Sequence, residues 1–168
     1  MSTIAFIDLA RIIREAGWPG GVPHATAVAL VTAESGRNPD AVNTNEGGSA
    51  PGSRDRGLWQ INDHYHDLSD EDAFDPVKST EYALKLYREN GFEPWAAYKN
   101  GAYQKHMEAA RVALDGWSRE KAARQEANVF LNRLTDAVGD RDALQSQVDA
   151  VTAYIAEAMD RLEDALTV

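Results

Sequence analysis

One glutamate in this sequence stands where its carboxyl group could act as an acid. Glu34 lies in the last turn of a predicted apolar helix over residues 23–35, one turn after Leu30 and Val31, and Gly36 ends that helix. Burial and the negative end of a helix both disfavour an ionised carboxylate, so we expect a raised pKa. Such a group suits a general acid working near neutral pH. The alternative is a surface glutamate at a helix end.

Three short motifs follow one another along the chain. The segment 34–36 (ESG) comes first, the segment 57–62 (GLWQIN) follows after a long polar stretch, and the segment 96–101 (AAYKNG) comes last. This series resembles the lysozyme-like superfamily, and within it the soluble lytic transglycosylases and the related lysozyme-like domains of phage tail proteins and endolysins. The resemblance extends over residues 5–114. It implies cleavage of the β-1,4 bond between N-acetylmuramic acid and N-acetylglucosamine in peptidoglycan.

The resemblance also implies a role for single residues. Glu34 would be the catalytic acid and base, and Ser35 would help to orient it. Tyr98 would hydrogen-bond close to Glu34. Gln60 would contact the sugar, and Asn62, at the end of the same segment, is assigned to substrate binding with it. No cofactor is implied by this chemistry.

Two positions depart from the family pattern. Trp59 stands where the transglycosylases usually have methionine, and its indole suits either stacking on a sugar or the core. Lys99 stands where an asparagine is expected after the tyrosine, with Asn100 one place later. We therefore assign Trp59 and Asn100 to the substrate-binding set as expectations that the fold must test.

The number of carboxylates decides between two mechanisms. Hydrolysis of a glycosidic bond normally uses two, and Asp55, Glu46 and Asp63 are the candidates beside Glu34. Each of them also suits a solvated loop. A lytic transglycosylase needs Glu34 alone and forms a 1,6-anhydro product, which the sequence slightly favours. If Asp55 faces the cleft opposite Glu34, inverting hydrolysis becomes the better interpretation, and Asp55 joins the catalytic set.

Two further groups of side chains are ambiguous. His64 and His66 are two residues apart and could share a metal ion on a strand, but no third ligand is marked by spacing, so we expect local packing and no metal site. Arg54 and Arg56 flank the segment 57–62. They could hold the acidic stem peptides of the cell wall, or they could be solvated.

Composition divides the chain into two parts with different folds. Residues 1–117 contain every tryptophan and proline, and we expect a mainly α lysozyme-like domain, α+β with a minimal hairpin, in this part. Residues 118–168 contain no proline and predict a long C-terminal helical extension that resembles a coiled coil. Five helices are predicted in the first part, over residues 3–16, 23–35, 76–91, 95–98 and 102–114.

The extension has an apolar seam with one stutter, formed by Leu144, Val148, Val151, Ile155, Met159, Leu162 and Leu166. Gly139 and Asp140 fit either a turn between two antiparallel helices or a weak point in one rod. We expect residues 118–168 to bind a protein partner or to self-associate. A third interpretation makes this extension the functional part and the first domain its passenger.

Charge and composition exclude several classes of protein. The net charge of −10 argues against nucleic acid as a partner, and no segment is apolar enough for membrane insertion. The absence of cysteine excludes disulfides and thiolate metal sites. The first 17 residues predict an amphipathic helix and not a signal peptide. We therefore expect a phage protein, either in the virion tail or released to the cell wall. The competing class is a structural virion protein that keeps a lysozyme-like fold without catalysis.

Overall fold

A computed structural model describes residues 3–136 and 141–166 of the chain. Contacts divide it into two compact units, Met1–Leu114 and Asp115–Val168. The described residues are mainly helical with one small sheet, which confirms the predicted fold class. The predicted domain limits of 1–117 and 118–168 stay a prediction, although the division between the units falls three residues before Trp117. None of the described helices is long and apolar enough to cross a membrane.

The secondary structure begins with two helices, continues with three short strands and returns to helices. The elements are α1 (Phe6–Glu15), α2 (Val22–Ser35), β1 (Val42–Thr44), β2 (Arg54–Arg56), β3 (Ile61–Asn62), α3 (Asp70–Phe74), α4 (Pro76–Asn90), α5 (Ala96–Lys99), a 3₁₀ helix (Ala102–His106), α6 (Met107–Asp136) and α7 (Arg141–Leu166).

Helix α2 is the central element of the first unit. Every residue from His24 to Val31 is buried, so this helix is covered by protein on all sides and not along a single stripe. It ends at Gly36, whose left-handed backbone (φ 62°) lets the chain turn away and whose N–H bonds to the carbonyl of Thr32. The last turn therefore leaves the core with Glu34 on it.

The three strands form one antiparallel sheet in the order β1-β2-β3. Its register pairs Asn43 with Asp55 on one side and Asp55 with Asn62 on the other. Side chains directly opposite each other in adjacent antiparallel strands lie on the same face. The register therefore places an aspartate between two asparagines in the middle of the sheet.

A tight turn joins β2 to β3 and needs glycine. Gly57 has φ 68°, and a Cβ added there would lie 2.0 Å from the carbonyl oxygen of Ala73. The turn thus packs directly against the end of α3. Gln60 follows with φ 49°, an uncommon conformation for a residue with a side chain.

The core of the first unit is built around tryptophans. The rings of Trp18 and Trp59 stack 5.0 Å apart and 8° from parallel, and both side chains are fully buried. The indole N–H of Trp59 donates to Thr80 Oγ1 over 2.9 Å. Trp95 donates in turn to the backbone carbonyl of Trp59 over 3.1 Å. These bonds tie α4 and the segment before α5 to the β2–β3 turn.

Replacing Trp59 with Phe is expected to lower the free energy of unfolding by about 2 kcal/mol, because the change leaves a cavity and removes the partner of Thr80 Oγ1. Urea denaturation followed by circular dichroism measures the change. Trp117→Phe, a substitution at a half-buried position outside the first unit, is the control and should cost less than about 1 kcal/mol. Equal costs for both variants would contradict this picture of the core.

One predicted helix start agrees with the structure, and one predicted break between two helices does not. Helix α4 begins as predicted, because the Asp75 carboxylate accepts from the backbone N–H groups of Val77 and Lys78. The predicted helix end at residue 114 and the new start at Ser118 are wrong, since α6 continues through Gly116 without a break. One glycine costs a helix only about 1 kcal/mol relative to alanine, and strong helix formers surround it here.

Within the second unit, the later part of α6 and α7 lie side by side in opposite directions. The rings of Phe130 and Tyr154 are 6.3 Å apart, and the Tyr154 hydroxyl donates to Glu126. The predicted turn at Gly139 and Asp140 lies outside the described residues. Among the described side chains of this unit, Val151 is the apolar one that is buried. The two helices therefore enclose little core of their own in this unit.

Candidate active site

A cleft of about 650 Å³ opens where the end of α2 faces the small sheet. Its walls come from the last turn of α2, from all three strands, from the loop after β3 and from the segment that begins α5. Glu34 and Asp55 both line it, on different walls. The chain thus brings together two carboxylates that are 21 positions apart in sequence.

The carboxyl group of Glu34 is half-buried at the base of this cleft. Its Oε1 accepts a hydrogen bond from the backbone N–H of Ala97 over 3.0 Å. Burial raises the pKa of Glu34 above its ordinary value; the Ala97 N–H opposes this by stabilising the charged form, and the negative charge of Asp55 adds to the increase. Glu34 therefore meets the requirement for a general acid, a carboxyl that keeps its proton at higher pH than a solvated one.

Asp55 has a different environment, made of side-chain amides. Its Oδ1 accepts from Asn62 Nδ2 over 2.7 Å, and its Oδ2 accepts from Asn45 Nδ2 over 3.1 Å and from Asn43 Nδ2 over 3.5 Å. These donors hold the carboxylate in one orientation. Glu34 is thus half-buried, whereas Asp55 is surrounded by amide donors. This difference in environment suits Glu34 to act as the acid and Asp55 to act as its charged partner.

Three of the other predicted residues line the cleft. Ser35 does so, but its hydroxyl donates to the carbonyl of Val31 over 3.1 Å. Gln60 donates from Nε2 to the carbonyl of Gly57 over 2.9 Å, which fixes the side chain at the cleft wall. Asn62 contributes mainly through its bond to Asp55, so it positions the second carboxylate.

Three predicted residues are not brought to the cleft. Trp59 is fully buried in the core, so its predicted stacking on a sugar is corrected to core packing. Tyr98 stacks on Tyr103, with ring centroids 5.1 Å apart, and does not line the cleft. Asn100 is exposed, and its Oδ1 accepts from the backbone N–H of Ala102, which caps the 3₁₀ helix.

Several groups that contact Glu34 and Asp55 were not among the predicted site residues. The backbone N–H that contacts Glu34 belongs to Ala97, the residue before the predicted tyrosine. Asn43 on β1 and Asn45 just after it reach Asp55 from a segment that the sequence shows only as a polar stretch. His66, which was expected to take part in local packing, lines the cleft together with its neighbour Tyr65. Their position directly after the segment 57–62 was the available signal.

The remaining carboxylate candidates have other places. Asp63 accepts from Arg54 Nε over 2.9 Å and from the backbone N–H of Arg54 over 2.8 Å, which lowers the pKa of Asp63. Asp70 binds Arg54 over 3.0 Å and the buried Arg56 over 2.6 Å. Glu46 is exposed and does not line the cleft. Asp55 is therefore the second carboxylate that the structure offers to Glu34.

No cluster of three or more His, Asp or Glu side chains with the arrangement of a metal site occurs within residues 3–136 and 141–166. The His66 ring instead packs edge-on against Tyr82, with centroids 5.8 Å apart. Burial, together with the positive charge of Arg56, lowers the pKa of His66. The His64 ring packs edge-on against Tyr65.

Comparison with known proteins agrees with this geometry. The model of the lysozyme-like domain family matches residues 10–97, just over half of the chain, and the chain belongs to that family. A lysozyme of Bombyx mori is 35% identical over 86 residues, which cover 44% of this chain and 60% of that protein. The residues matched by the family model include both cleft carboxyl groups, Glu34 and Asp55. The resemblance inferred from the three motifs is thereby confirmed.

Proposed function

We propose that this protein cleaves the β-1,4 bond between N-acetylmuramic acid and N-acetylglucosamine in peptidoglycan, with Glu34 as the general acid. The observation that carries the proposal is the pairing of a half-buried Glu34 of raised pKa with Asp55 in one cleft. The Bombyx mori relative is called a lysozyme, which supports a glycosidase of this type.

Asp55 favours hydrolysis over transglycosylation. In hydrolysis, Glu34 protonates the oxygen of the departing sugar while the carboxylate of Asp55 faces the positive charge that develops at the anomeric carbon. Water completes the reaction and Glu34 regains a proton. A single-acid transglycosylase has no use for a carboxylate that three asparagines orient towards the cleft. The slight preference of the sequence for the single-acid mechanism therefore gives way to the two-carboxylate one.

Mass spectrometry of the products of peptidoglycan digestion tests this choice. Hydrolysis gives fragments that have gained one water per broken bond, whereas transglycosylation gives 1,6-anhydro fragments lighter by that water. We expect the hydrated products. The anomeric configuration of the first product, followed by NMR, then assigns Asp55: inversion makes it the base for water, and retention makes it the nucleophile.

The competing class, a non-catalytic virion protein with a lysozyme-like fold, is favoured by one observation. The chain carries a net charge of −10, and cell-wall polymers are themselves anionic. That class predicts no cleavage of peptidoglycan under any ionic condition, and it gives no reason for the paired carboxylates in the cleft.

We further propose that the second unit joins copies of this chain, and that the protein acts as part of a phage virion or tail. Three residues of α7 lie along one stripe of the helix and are 43–60% exposed: Val148, Ile155 and Met159. Helix α7 and the shorter part of α6 in this unit present a face of roughly 35 Å by 20 Å, somewhat below the about 800 Å² per partner of a standard interface. The same pair of helices from a second copy of the chain would cover this stripe.

Changing Val148, Ile155 and Met159 together to glutamine is expected to shift the full-length chain from an oligomer to a monomer in sedimentation velocity, because the apolar area that drives association is lost. The control carries Ala153→Gln and Ala156→Gln, exposed positions on the same helix outside that stripe. The control should remain associated. A wild-type chain that sediments as a monomer at high concentration would contradict self-association.

A further inference from the structure

The cleft carries charge of the same sign as the free carboxylates of peptidoglycan. Its described lining residues include the two carboxyl groups of Glu34 and Asp55 and contain no lysine or arginine. His66 is the histidine among these lining residues, and burial together with the charge of Arg56 lowers its pKa, which disfavours its charged form. Among the described lining residues, the charge of Asp55 therefore has no lysine or arginine to balance it.

The two arginines of β2, Arg54 and Arg56, do not supply that cation. Arg54 donates to both Asp63 and Asp70, and the buried Arg56 donates to Asp70. These bonds pair both arginines with aspartates of the same chain. These contacts argue against the expectation that Arg54 and Arg56 hold acidic stem peptides. Each arginine would first have to give up an aspartate partner. The net charge of −10 extends the same sign over the whole chain.

We propose that the cleft selects glycan strands whose stem peptides carry amidated, uncharged side groups over strands whose stem peptides carry free carboxylates. The inference rests on the proposed function, since it concerns the substrate of the same site. The negative charge of Asp55 repels a free carboxylate beside the scissile bond. Glu34 is protonated in the form that acts as the acid, so it adds no charge to that repulsion. An amide of nearly the same size meets no such repulsion.

Two matched substrates from a single peptidoglycan preparation test the proposal. One half is left with its free carboxylates, and in the other half these are converted to amides with carbodiimide and ammonia. We expect kcat/KM at low ionic strength to be about tenfold higher on the amidated half. The ratio should fall towards one as added salt shortens the Debye length to a few ångströms.

A pair of charge variants locates the effect. Val42→Lys adds one cation to the cleft wall at a position that is 51% exposed, and it should lower the preference for amidated substrate several-fold. Val112→Lys adds the same charge at a position 61% exposed on α6, away from the cleft lining, and should leave the preference unchanged. Circular dichroism checks that both variants are folded.

Each outcome bears on one part of the account. Equal cleavage of both substrates, or faster cleavage of the free-carboxylate half, would overturn the selectivity and leave the enzyme in place. An equal shift in both lysine variants would overturn the cleft as its source. Cleavage of neither substrate at any salt concentration would overturn the proposed function itself, and the selectivity with it.

Discussion

Glu34→Gln is expected to lower kcat on peptidoglycan by about 10³-fold, within the range that general acid catalysis supplies. The amide cannot protonate the departing sugar oxygen, whereas its size and its carbonyl oxygen are those of the carboxyl it replaces. The hydrogen bond from the Ala97 N–H is therefore retained. Binding of the glycan should change little, so KM should stay within a few-fold of the wild-type value.

Stability provides an independent check on the same substitution. The pKa of Glu34 is raised in the folded state, so folding binds its proton more tightly, and this contribution to stability is lost as the pH rises through that raised pKa. Above it, the half-buried charge destabilises the wild type. Glu34→Gln should therefore melt at a higher temperature than wild type at pH values above that raised pKa, with a difference that disappears in acid.

The control for Glu34 is the exposed Glu46, outside the cleft. Glu46→Gln should leave both kcat and the pH dependence of the melting temperature unchanged. A Glu34→Gln variant that keeps more than a tenth of wild-type activity would contradict the assignment of the acid. A variant that unfolds instead would be recognised by its melting curve.

Asp55→Asn is expected to lower kcat by about 10²-fold and to change the pH profile as well. The loss of the negative charge removes stabilisation of the charge that develops on the sugar. The same loss lowers the pKa of Glu34, because the charge of Asp55 contributes to raising it. Activity requires protonated Glu34, so the alkaline limb of the residual profile should move to lower pH.

Asp40→Asn is the matched control for Asp55. It removes one negative charge from an exposed position in the loop before β1, and Asp40 does not line the cleft. We expect activity within twofold of wild type and an unchanged alkaline limb. A limb that moves equally in both variants would mean that the overall charge of the chain, and not Asp55, sets the pKa of Glu34.

Glu34 could be predicted from the sequence because its signals are local. The apolar run before it and Gly36 after it fix the helix end, and the resemblance of the surrounding motifs points to the same residue. Asp55 could only be named as one of three candidates. Its selection depends on the register that pairs it with Asn43 and Asn62, and no pattern in the polar stretch specifies that register.

The errors have equally specific causes. Trp59 lies in a tight turn where residue type does not show which way a side chain points, and the deciding partner, Thr80, is on a distant helix. The Ala97 N–H, which does contact Glu34, is a backbone donor that every residue except proline carries, so residue type cannot reveal it. Tyr98, one residue later, was the more conspicuous choice.

The fold was predictable where elements have clear ends. The start of α4 at Asp75 and Pro76 follows from capping chemistry, and the end of α2 follows from Gly36. The continuity of α6 could not be predicted. Gly116 and Ser118 are residue types that often end and begin helices, but α6 continues through both. The spacing of apolar residues predicts the seam of α7. It does not predict that Val148 and Ile155 are exposed, because exposure depends on which surface packs against the helix.

The most direct test of the central claim is a digestion of purified peptidoglycan by the wild type and by Glu34→Gln side by side, with the soluble products identified by mass spectrometry. The account predicts hydrated disaccharide fragments from the wild type and almost none from the variant at equal concentration of folded protein. Anhydro fragments that depend on Glu34 would keep the acid and remove the catalytic role of Asp55. Fragments in equal amount from both proteins, or from neither, would contradict the claim that Glu34 is the acid of a peptidoglycan-cleaving enzyme.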